Sequence, residues 1–323
     1  MTDAINNPLF NKLRIIKPDP LTERIDDLQR PLLKMAKHFF RIVSPYFWGP
    51  KHTDIWPIGR FVAELAGKNI LDTRCNDGKW LALPLPVYTS HFINGGDYKR
   101  FNRDNIHPIL KSHALSGTAV IDVGASCGQE VVTLSKAVGP EGVVYCFEPS
   151  YSYEALLRTV SLNQLNNVIC IQAACGNRNG YLEGASHGLY FVGTECRYKE
   201  DSGTPIIRID DFLTHIQEQR PLSLIKIDTD GFEFEVIQGA QKTVSHFQTR
   251  IVAEFESHFD YSGKRGADVL KRYKELGFRV HKIQTSCQEI NENAFESYTS
   301  EMLDPENMIA HDIVLVPVSP KTA

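Results

Sequence analysis

The chain has 323 residues, of which 42% are hydrophobic and 23% are charged, a composition typical of a globular protein with one large domain and an extension. Its 35 basic and 39 acidic side chains give a net charge of −4 at pH 7, which excludes the basic field that binding to a nucleic-acid backbone requires. The chain has no apolar run of the roughly 20 residues that span a bilayer, no signal-peptide pattern at its start and no C-x-x-C pair among its seven cysteines. We therefore expect a cytoplasmic protein without stable membrane insertion, without a disulfide framework and without a zinc site.

Residues 1–69 are predicted to form a helical extension. The stretch "RPLLKMAKHFFRIVSP" has the spacing of an amphipathic helix with a basic side, and "PIGRFVAELAG" indicates a second helix. The apolar side of the first helix consists of Leu32, Met35, Ala36, Phe39 and Val43. Burying such side chains is worth roughly 1.5–3 kcal/mol each. We expect the main domain or a second subunit to cover them, with a homodimer preferred and a membrane surface as the less favoured alternative.

From residue 118 onward, short β-rich runs alternate with helical patterns, which is typical of an α/β domain with a mostly parallel sheet. The predicted strands are "TAVIDV", "GVVYCFEP", "NVICIQAAC", "LSLIKIDTDG", "RIVAEFE", "FRVHKI" and "MIAHDIVLVP". The helices between them include "QEVVTLSKAVG", "YEALLRTVSLNQL" and "GADVLKRYKELG". Residues 180–204 are rich in glycine and aromatic residues, which favours an inserted hairpin.

The stretch "VIDVGASCGQEVV" joins the first of these strands to a helix through the pattern D-x-G-x-x-x-G. A dinucleotide turn would read G-x-G-x-x-G, and Asp122 would place negative charge close to its pyrophosphate. The same charge favours a ligand with an ammonium or sulfonium group, which indicates S-adenosylmethionine. Gly124 and Gly128 let the turn pass close under such a ligand, a role that alanine would not fill if Gly124 needs a positive φ. The alternative is a tight turn that binds no ligand.

The second strand ends in "FEP", which places Glu148 at its tip. A carboxylate at this point of such a sheet accepts hydrogen bonds from the two hydroxyl groups of an adenosine ribose. A nicotinamide cofactor would need an acid here as well, so Glu148 indicates an adenosine ribose without indicating which cofactor carries it. The choice between the two cofactors therefore depends on Asp122. The alternative for Glu148 is a solvated loop acid before a proline.

Six stretches now amount to a resemblance: "VIDVGASCG", "VVYCFEPS", "LNNVICIQAACGNRNG", "IRIDDFL", "LIKIDTDGFEFEVIQGA" and "IVAEFE". In this order and at these spacings the chain resembles the FkbM-type family of S-adenosylmethionine-dependent methyltransferases over residues 70–318. It departs from the family in reading "DTDG" where D-V-E-G is usual, and "GASCG" where G-A-N-x-G is usual.

The resemblance implies a Rossmann-like class I methyltransferase fold, with a seven-stranded, mostly parallel sheet whose last strand is antiparallel. It also implies O-methylation of a sugar or another small molecule. We assign the domain to residues 70–323, with its core at 118–318. The predicted cofactor-binding residues are Asp122, Gly124, Ala125, Gly128, Glu148, Pro149, Ala173 and Ala174.

Methyl transfer to an alcohol is an in-line displacement in which the acceptor also loses a proton, so a nearby base should accelerate it. Lys226, Asp228 and Asp230 lie at the carboxyl end of the fourth strand, on one side of it if the strand continues that far. We predict these three as the catalytic residues, with Asp228 closest to the methyl group. Glu254 marks the end of the fifth strand, where the acceptor is also expected.

Other interpretations stay open at this point. Asp230 and Glu233 could instead be solvated acids at a helix N-terminus, where negative charge is favourable. A D-x-D pair can bind a divalent metal, but nothing else completes a ligand set, so no metal is assigned. An NAD-dependent oxidoreductase would share the sheet and Glu148, and a non-catalytic S-adenosylmethionine-binding partner protein would share the cofactor turn.

Overall fold

The computed structural model describes residues 8–47, 56–75, 77–85, 106–183, 197–199, 202–229, 231–256, 266–283, 295–297 and 310–318. The predicted catalytic residue Asp230 lies outside these ranges. The helices are α1 (Pro31–Phe47), α2 (Trp56–Ala66), α3 (Ile106–His113), α4 (Val131–Val138), α5 (Ser152–Leu162), α6 (Ile209–His215), α7 (Glu233–Gly239), α8 (Gln241–Phe247) and α9 (Gly266–Glu275). Short 3-10 turns cover Phe10–Lys12 and Asp27–Gln29.

The strands belong to three sheets. They are β1 (Ile15–Ile16), β2 (Ile70–Arg74), β3 (Trp80–Pro84), β4 (Ala119–Val123), β5 (Val143–Phe147), β6 (Val168–Ile171), β7 (Ala174–Cys175), β8 (Gly180–Glu183), β9 (Arg197–Lys199), β10 (Thr204–Ile207), β11 (Leu222–Ile227), β12 (Arg250–Glu256), β13 (Phe278–Ile283), β14 (Phe295–Ser297) and β15 (Ala310–Pro317).

The main sheet has the order β1-β6-β5-β4-β11-β12-β15-β13-β14. Strands β6, β5, β4, β11 and β12 pair in parallel, and β15 is antiparallel to both of its neighbours, β12 and β13. The mostly parallel sheet with an antiparallel last strand is therefore confirmed. The predicted count of seven is wrong, because β1 and β14 add an antiparallel strand at each edge. Strands of two and three residues are too short for any periodicity to identify.

Helices cover both faces of this sheet, and strand alternation divides the core between them. On one face, Val120, Val144 and Leu224 pack against residues of α3, α4 and α5. On the other face, Ile121 and Ile225 pack against residues of α6, α7, α8 and α9. The result is the three-layer arrangement expected of a Rossmann-like domain.

A second sheet has the order β7-β10-β8-β9 and branches from the main sheet after β6. Its strands β8 and β9 pair antiparallel, so a hairpin forms in the insert that was predicted between residues 180 and 204. Strand β10 pairs in parallel with β7, which returns the chain to α6.

The N-terminal residues contribute to two different cores. Leu9 and Phe10 are buried with the main sheet, and β1 pairs with its edge strand β6. Helices α1 and α2 instead pack with the antiparallel hairpin of β2 and β3 around a smaller cluster that includes Leu33, Val62 and Leu71. The domain boundary at residue 69 stays a prediction.

The apolar side predicted for the first helix is divided in the structure. Leu33 is buried, whereas Leu32, Met35 and Phe39 are 62%, 70% and 58% exposed. The side chain of Val43 lies outside the described residues. Within the described ranges, none of the helices combines the length and the apolarity needed to cross a bilayer.

Candidate active site

The turn after β4 requires glycine at two positions. Gly124 and Gly128 have φ values of 74° and 87°, a region that side chains with a Cβ rarely adopt. Gly124 therefore has the conformation that would prevent alanine from replacing it. The crowding at Gly124 comes from the chain itself, because an added Cβ would lie 1.8 Å from the carbonyl oxygen of Asp228. The turn thus rests directly on the backbone that follows β11.

Gly128 and Cys127 fix the other end of the turn against helix α5. A Cβ on Gly128 would lie 3.0 Å from Cγ2 of Thr159 and 3.1 Å from Cδ1 of Leu156. Cys127 is fully buried in a cluster with Leu81 and other apolar side chains. Both residues therefore act in packing, and Cys127 has the environment of a structural thiol.

Glu148 follows β5 and is only 6% exposed. Its Oε2 accepts a hydrogen bond from the backbone N–H of Ser126 at 2.8 Å, and its Oε1 accepts one from the N–H of Ser150 at 2.8 Å. Burial raises the pKa of this carboxyl group, and the hydrogen bonds from Ser150 and Ser126 oppose the rise. Glu148 is therefore a buried side chain that ties the glycine turn to the β5–α5 loop, not a solvated loop acid.

The other predicted cofactor-binding residues are distributed around these two strand ends. The N–H of Ala125 donates to the carbonyl oxygen of Phe147 at 3.0 Å, which places the turn beside the end of β5. Ala125 and Ala173 are fully buried, Pro149 is half-buried, and Ala174 is half-buried within β7. These small side chains surround the carboxyl ends of β5 and β6, and their part in cofactor binding stays a prediction.

Three charged side chains form a row across β4 and β11. Lys226 is paired in register with Asp122, and its Nζ lies 3.5 Å from Oδ1 of Asp122 and 3.4 Å from Oδ2 of Asp228. The carbonyl oxygen of Gly124 is a further 3.5 Å contact of the same ammonium group. The side chains of Asp122 and Lys226 are 0% and 3% exposed, whereas that of Asp228 is 33% exposed. Only Asp228 therefore presents a substantial surface to a ligand.

Asp122 is the least satisfied member of this row. Among the residues that the structure describes, neither of its carboxylate oxygens has a hydrogen-bond partner. Burial raises the pKa of Asp122 to about 6, although the ammonium of Lys226 acts in the opposite direction. A buried carboxylate in this condition favours a ligand whose positive charge lies close to it.

Glu233 has a structural environment rather than the solvated one considered from the sequence. It is 7% exposed, and its Oε1 accepts hydrogen bonds from the N–H and Oγ1 of Thr229, each at 2.9 Å, and from the N–H of Gly231 at 3.2 Å. Burial raises the pKa of Glu233 to about 7. The side chain thus closes the loop between β11 and α7, which contains Asp230.

Within the described residues, no group of three or more His, Cys, Asp or Glu side chains is arranged to hold a metal ion.

Compared with models of protein families, residues 122–280 match the methyltransferase FkbM domain. The chain carries a methyltransferase FkbM domain. The match begins at Asp122 and includes Glu148, Lys226 and Asp228, so the resemblance inferred from the motifs is confirmed. No curated protein sequence matches the chain.

Solved structures with a similar chain path have low sequence identity to this protein. They include methyltransferase FkbM from Methylobacillus flagellatus KT, with 14% identity, a TM-score of 0.39, and coverage of 62% of this chain and 44% of that chain. A SAM-dependent O-methyltransferase from Thermotoga maritima has 13% identity, a TM-score of 0.41, and coverage of 81% and 83%. Fibrillarin from Aeropyrum pernix, solved with natively bound S-adenosyl-L-methionine, has 11% identity, a TM-score of 0.39, and coverage of 77% and 94%. The chain thus spans less than half of the Methylobacillus flagellatus protein.

One acid at the same edge of the main sheet as Asp228 was not identified from the sequence. Asp312 of β15 is paired in register with Glu254 of β12, and both are buried, with 8% and 7% exposure. Because Ile227 pairs with Ala253, Glu254 lies next to Asp228 at the same edge of the sheet. The only available signal was the alternation of "HDIVLVP", which places Asp312 on the same side as Val314. The antiparallel register that brings it to Glu254 cannot be derived from that pattern.

Proposed function

We propose that this protein is an S-adenosylmethionine-dependent methyltransferase whose acceptor is a hydroxyl group of a sugar or another small metabolite. The observation that carries the proposal is the buried Asp122 carboxylate, whose oxygens have no hydrogen-bond partner among the described residues. Asp122 lies near the carboxyl end of β4, and open α/β sheets bind their ligands at that edge. The FkbM domain supports the same conclusion.

S-adenosylmethionine fits the residues present, because its ammonium and sulfonium groups supply the positive charge that Asp122 favours. When bound, it supplies the methyl group for transfer. Each oxygen of Glu148 accepts one backbone N–H and keeps a lone pair, so the side chain can still accept the two ribose hydroxyls. The other residues that we propose around the cofactor are Gly124, Ala125, Gly128, Pro149, Ala173 and Ala174.

Asp228 is proposed to accept the proton of the acceptor hydroxyl, because it is the exposed member of the charged row. Lys226 Nζ, 3.4 Å away, orients the Asp228 carboxylate and is itself fixed by its contacts with Asp122 and Gly124. A base in this position contributes roughly 10²–10⁴-fold to the rate. Asp230 is proposed as a second acid beside the acceptor.

A methyl-transfer assay with Asp228→Asn tests this role. The assay follows labelled methyl groups from S-adenosylmethionine into a panel of sugars and small hydroxylated metabolites. We expect turnover to fall by about 10²-fold or more, while the affinity for S-adenosylhomocysteine stays within a few-fold of wild type. Asp211→Asn is the matched control, because Asp211 has a similar ion pair, 3.5 Å from Arg208, and lines a cavity with Leu222 at the opposite end of β11.

Two results would contradict the proposal, and a third would add a metal to the mechanism. Near-normal turnover of the Asp228→Asn protein would remove Asp228 from the reaction. Saturable binding of reduced nicotinamide cofactor in a fluorescence titration, without binding of S-adenosylhomocysteine in calorimetry, would favour an oxidoreductase instead. Loss of activity on addition of a chelator would bring a metal into the mechanism.

A further inference from the structure

We propose that helix α1 binds an anionic membrane surface through an exposed apolar face. This face consists of Leu32, Met35 and Phe39 of α1 together with Phe61 of α2, and we call it the apolar face. The four side chains are 62%, 70%, 58% and 51% exposed. Contiguous exposed side chains of this size mark an interaction surface rather than ordinary surface scatter.

Ring contacts join the two helices into one surface. Phe40 packs edge-on against Phe39, with ring centroids 5.4 Å apart, and against Phe61, with centroids 6.0 Å apart. Phe40 itself is half-buried and packs against the cluster below. Phe40 therefore contacts rings of both helices, and the exposed rings of Phe39 and Phe61 belong to the same patch.

The opposite side of α1 anchors the helix to the protein. Leu33 is 2% exposed and packs with Ile58, Val62 and Leu71 of the neighbouring elements. Because Leu33 and the exposed Leu32 point to different sides of the helix, folding buries the anchor without covering the apolar face. The face is thus held in a fixed orientation and contributes little to the packing of the domain.

The charge around the apolar face selects the partner. Helix α1 carries three basic residues, Lys34, Lys37 and Arg41, and no Asp or Glu, although the whole chain has a net charge of −4. Successive helical residues are about 100° apart, so His38 and then Lys34 follow the stripe formed by Leu32, Met35 and Phe39 on one side, while Lys37 lies on the opposite side of the helix. A basic polar side combined with an apolar side of Leu, Met and Phe is typical of helices that lie in the interface of an anionic bilayer.

A second copy of the chain is the less suitable occupant. A twofold axis through the apolar face would bring the Lys34 side chains of two copies of α1 towards each other, with no acid in α1 to pair with them. Anionic lipid headgroups instead neutralise those cations while the acyl chains cover Leu32, Met35 and Phe39. The pattern therefore favours a lipid surface over the homodimer that the sequence alone suggests.

Vesicle sedimentation of the full-length protein tests the proposal. We expect binding to vesicles of phosphatidylcholine mixed with phosphatidylserine and much weaker binding to phosphatidylcholine alone. Met35→Ser combined with Phe39→Ser should weaken binding by about 100-fold or more, since two large apolar contacts are lost. Lys34→Gln should weaken it by about 5-fold, the contribution of one basic residue near an anionic surface. Leu115→Ser is the matched control, an exposed leucine elsewhere on the surface at 55%.

Three outcomes would overturn the proposal. The first is no difference between the two kinds of vesicle. The second is undiminished binding by the Met35/Phe39 variant with its far-UV circular dichroism unchanged. The third is a dimer in a light-scattering dilution series that Phe39→Ser dissociates, which would assign the apolar face to a second copy. If the apolar variant does not fold, the lysine variant decides between binding and no binding at this face.

Discussion

Asp122 has no exposed surface, and burial raises the pKa of its carboxyl group to about 6, an effect that the ammonium of Lys226 opposes. In an unfolded chain the same group titrates near pH 4. Between about pH 4 and pH 6 the folded protein therefore binds this proton more tightly than the unfolded chain does. Its free energy of unfolding falls as the pH rises through this window, by up to about 3 kcal/mol.

Asp122→Asn should abolish this fall in the free energy of unfolding with rising pH, because asparagine does not titrate. In the ligand-free protein we expect the variant to unfold at a higher urea concentration than wild type above about pH 6, and the difference should disappear below about pH 4. Lys226 keeps its contact with Asp228 in this variant, so no cation is stranded. S-adenosylmethionine should bind more weakly, because its positive charge loses the buried carboxylate. Urea titrations of both proteins across this pH range check the prediction, and an identical pH slope in the variant would contradict it.

Glu148→Gln should weaken the binding of S-adenosylhomocysteine by about 10- to 100-fold. The amide nitrogen of glutamine cannot accept, so one backbone N–H and one ribose hydroxyl lose their acceptor. Glu154→Gln is the control, because Glu154 lies in the same region but its side chain is 52% exposed and pairs with Arg14. Calorimetry of the three proteins measures the effect. Equal affinities in Glu148→Gln and wild type would exclude Glu148 from the cofactor site.

At the scale of the element, the turn between β4 and α4 is specified by crowding as well as by φ. Gly124→Ala should destabilise the protein by more than the roughly 1–2 kcal/mol that a left-handed conformation costs a residue with a Cβ, because the added carbon would also contact the Asp228 carbonyl at 1.8 Å. Gly67→Ala isolates the conformational cost, since Gly67 has a φ of 68° with no atom within 4 Å of the added carbon. Urea unfolding of the two variants separates the contributions. Equal losses would show that the turn relaxes away from Asp228.

The sequence predicted those elements whose patterns extend over several residues. The strands that contain Asp122 and Lys226 were identified because apolar residues there form continuous runs or strict alternation. Strands β1 and β14 were missed because each has only two or three residues. Contacts that depend on register or on loop closure were missed too, as with the pairing of Asp312 and Glu254 and the three hydrogen bonds to Glu233. Such contacts join separate segments, and local patterns carry no information about them.

At the scale of the whole molecule, residues near the start of the sequence pack into the core of the main sheet, whose other residues lie more than a hundred positions further along the chain. Phe10 is 3% exposed, and its ring stacks on His215 with centroids 4.7 Å apart. Nearby, Ile15 and Ile16 pair with Ile171 and Cys170. The N-terminal segment therefore covers one edge of the main sheet, and an uncovered edge would be open to pairing with other chains.

Phe10→Ala should consequently destabilise the methyltransferase domain, although Phe10 lies outside the residues matched to the family. We expect a loss of about 3–5 kcal/mol, the range for a buried phenylalanine. Ile25→Ala should change the stability by less than about 0.5 kcal/mol, because Ile25 is 67% exposed. Thermal unfolding of both variants makes the comparison. A small effect of Phe10→Ala would indicate that the segment folds independently and support a boundary at residue 69.

The contact between Gly124 and the Asp228 carbonyl has a kinetic consequence. The turn that we propose binds the cofactor and the chain that carries the proposed base share one backbone contact, so neither can shift without the other. A cofactor that settles the turn would also settle Asp228, and the acceptor would find its pocket complete only afterwards. The substrates should then add in a compulsory order, cofactor first. An unreactive acceptor analogue should accordingly inhibit uncompetitively against S-adenosylmethionine, whereas the non-competitive inhibition of random addition would show that the turn and the base are independent.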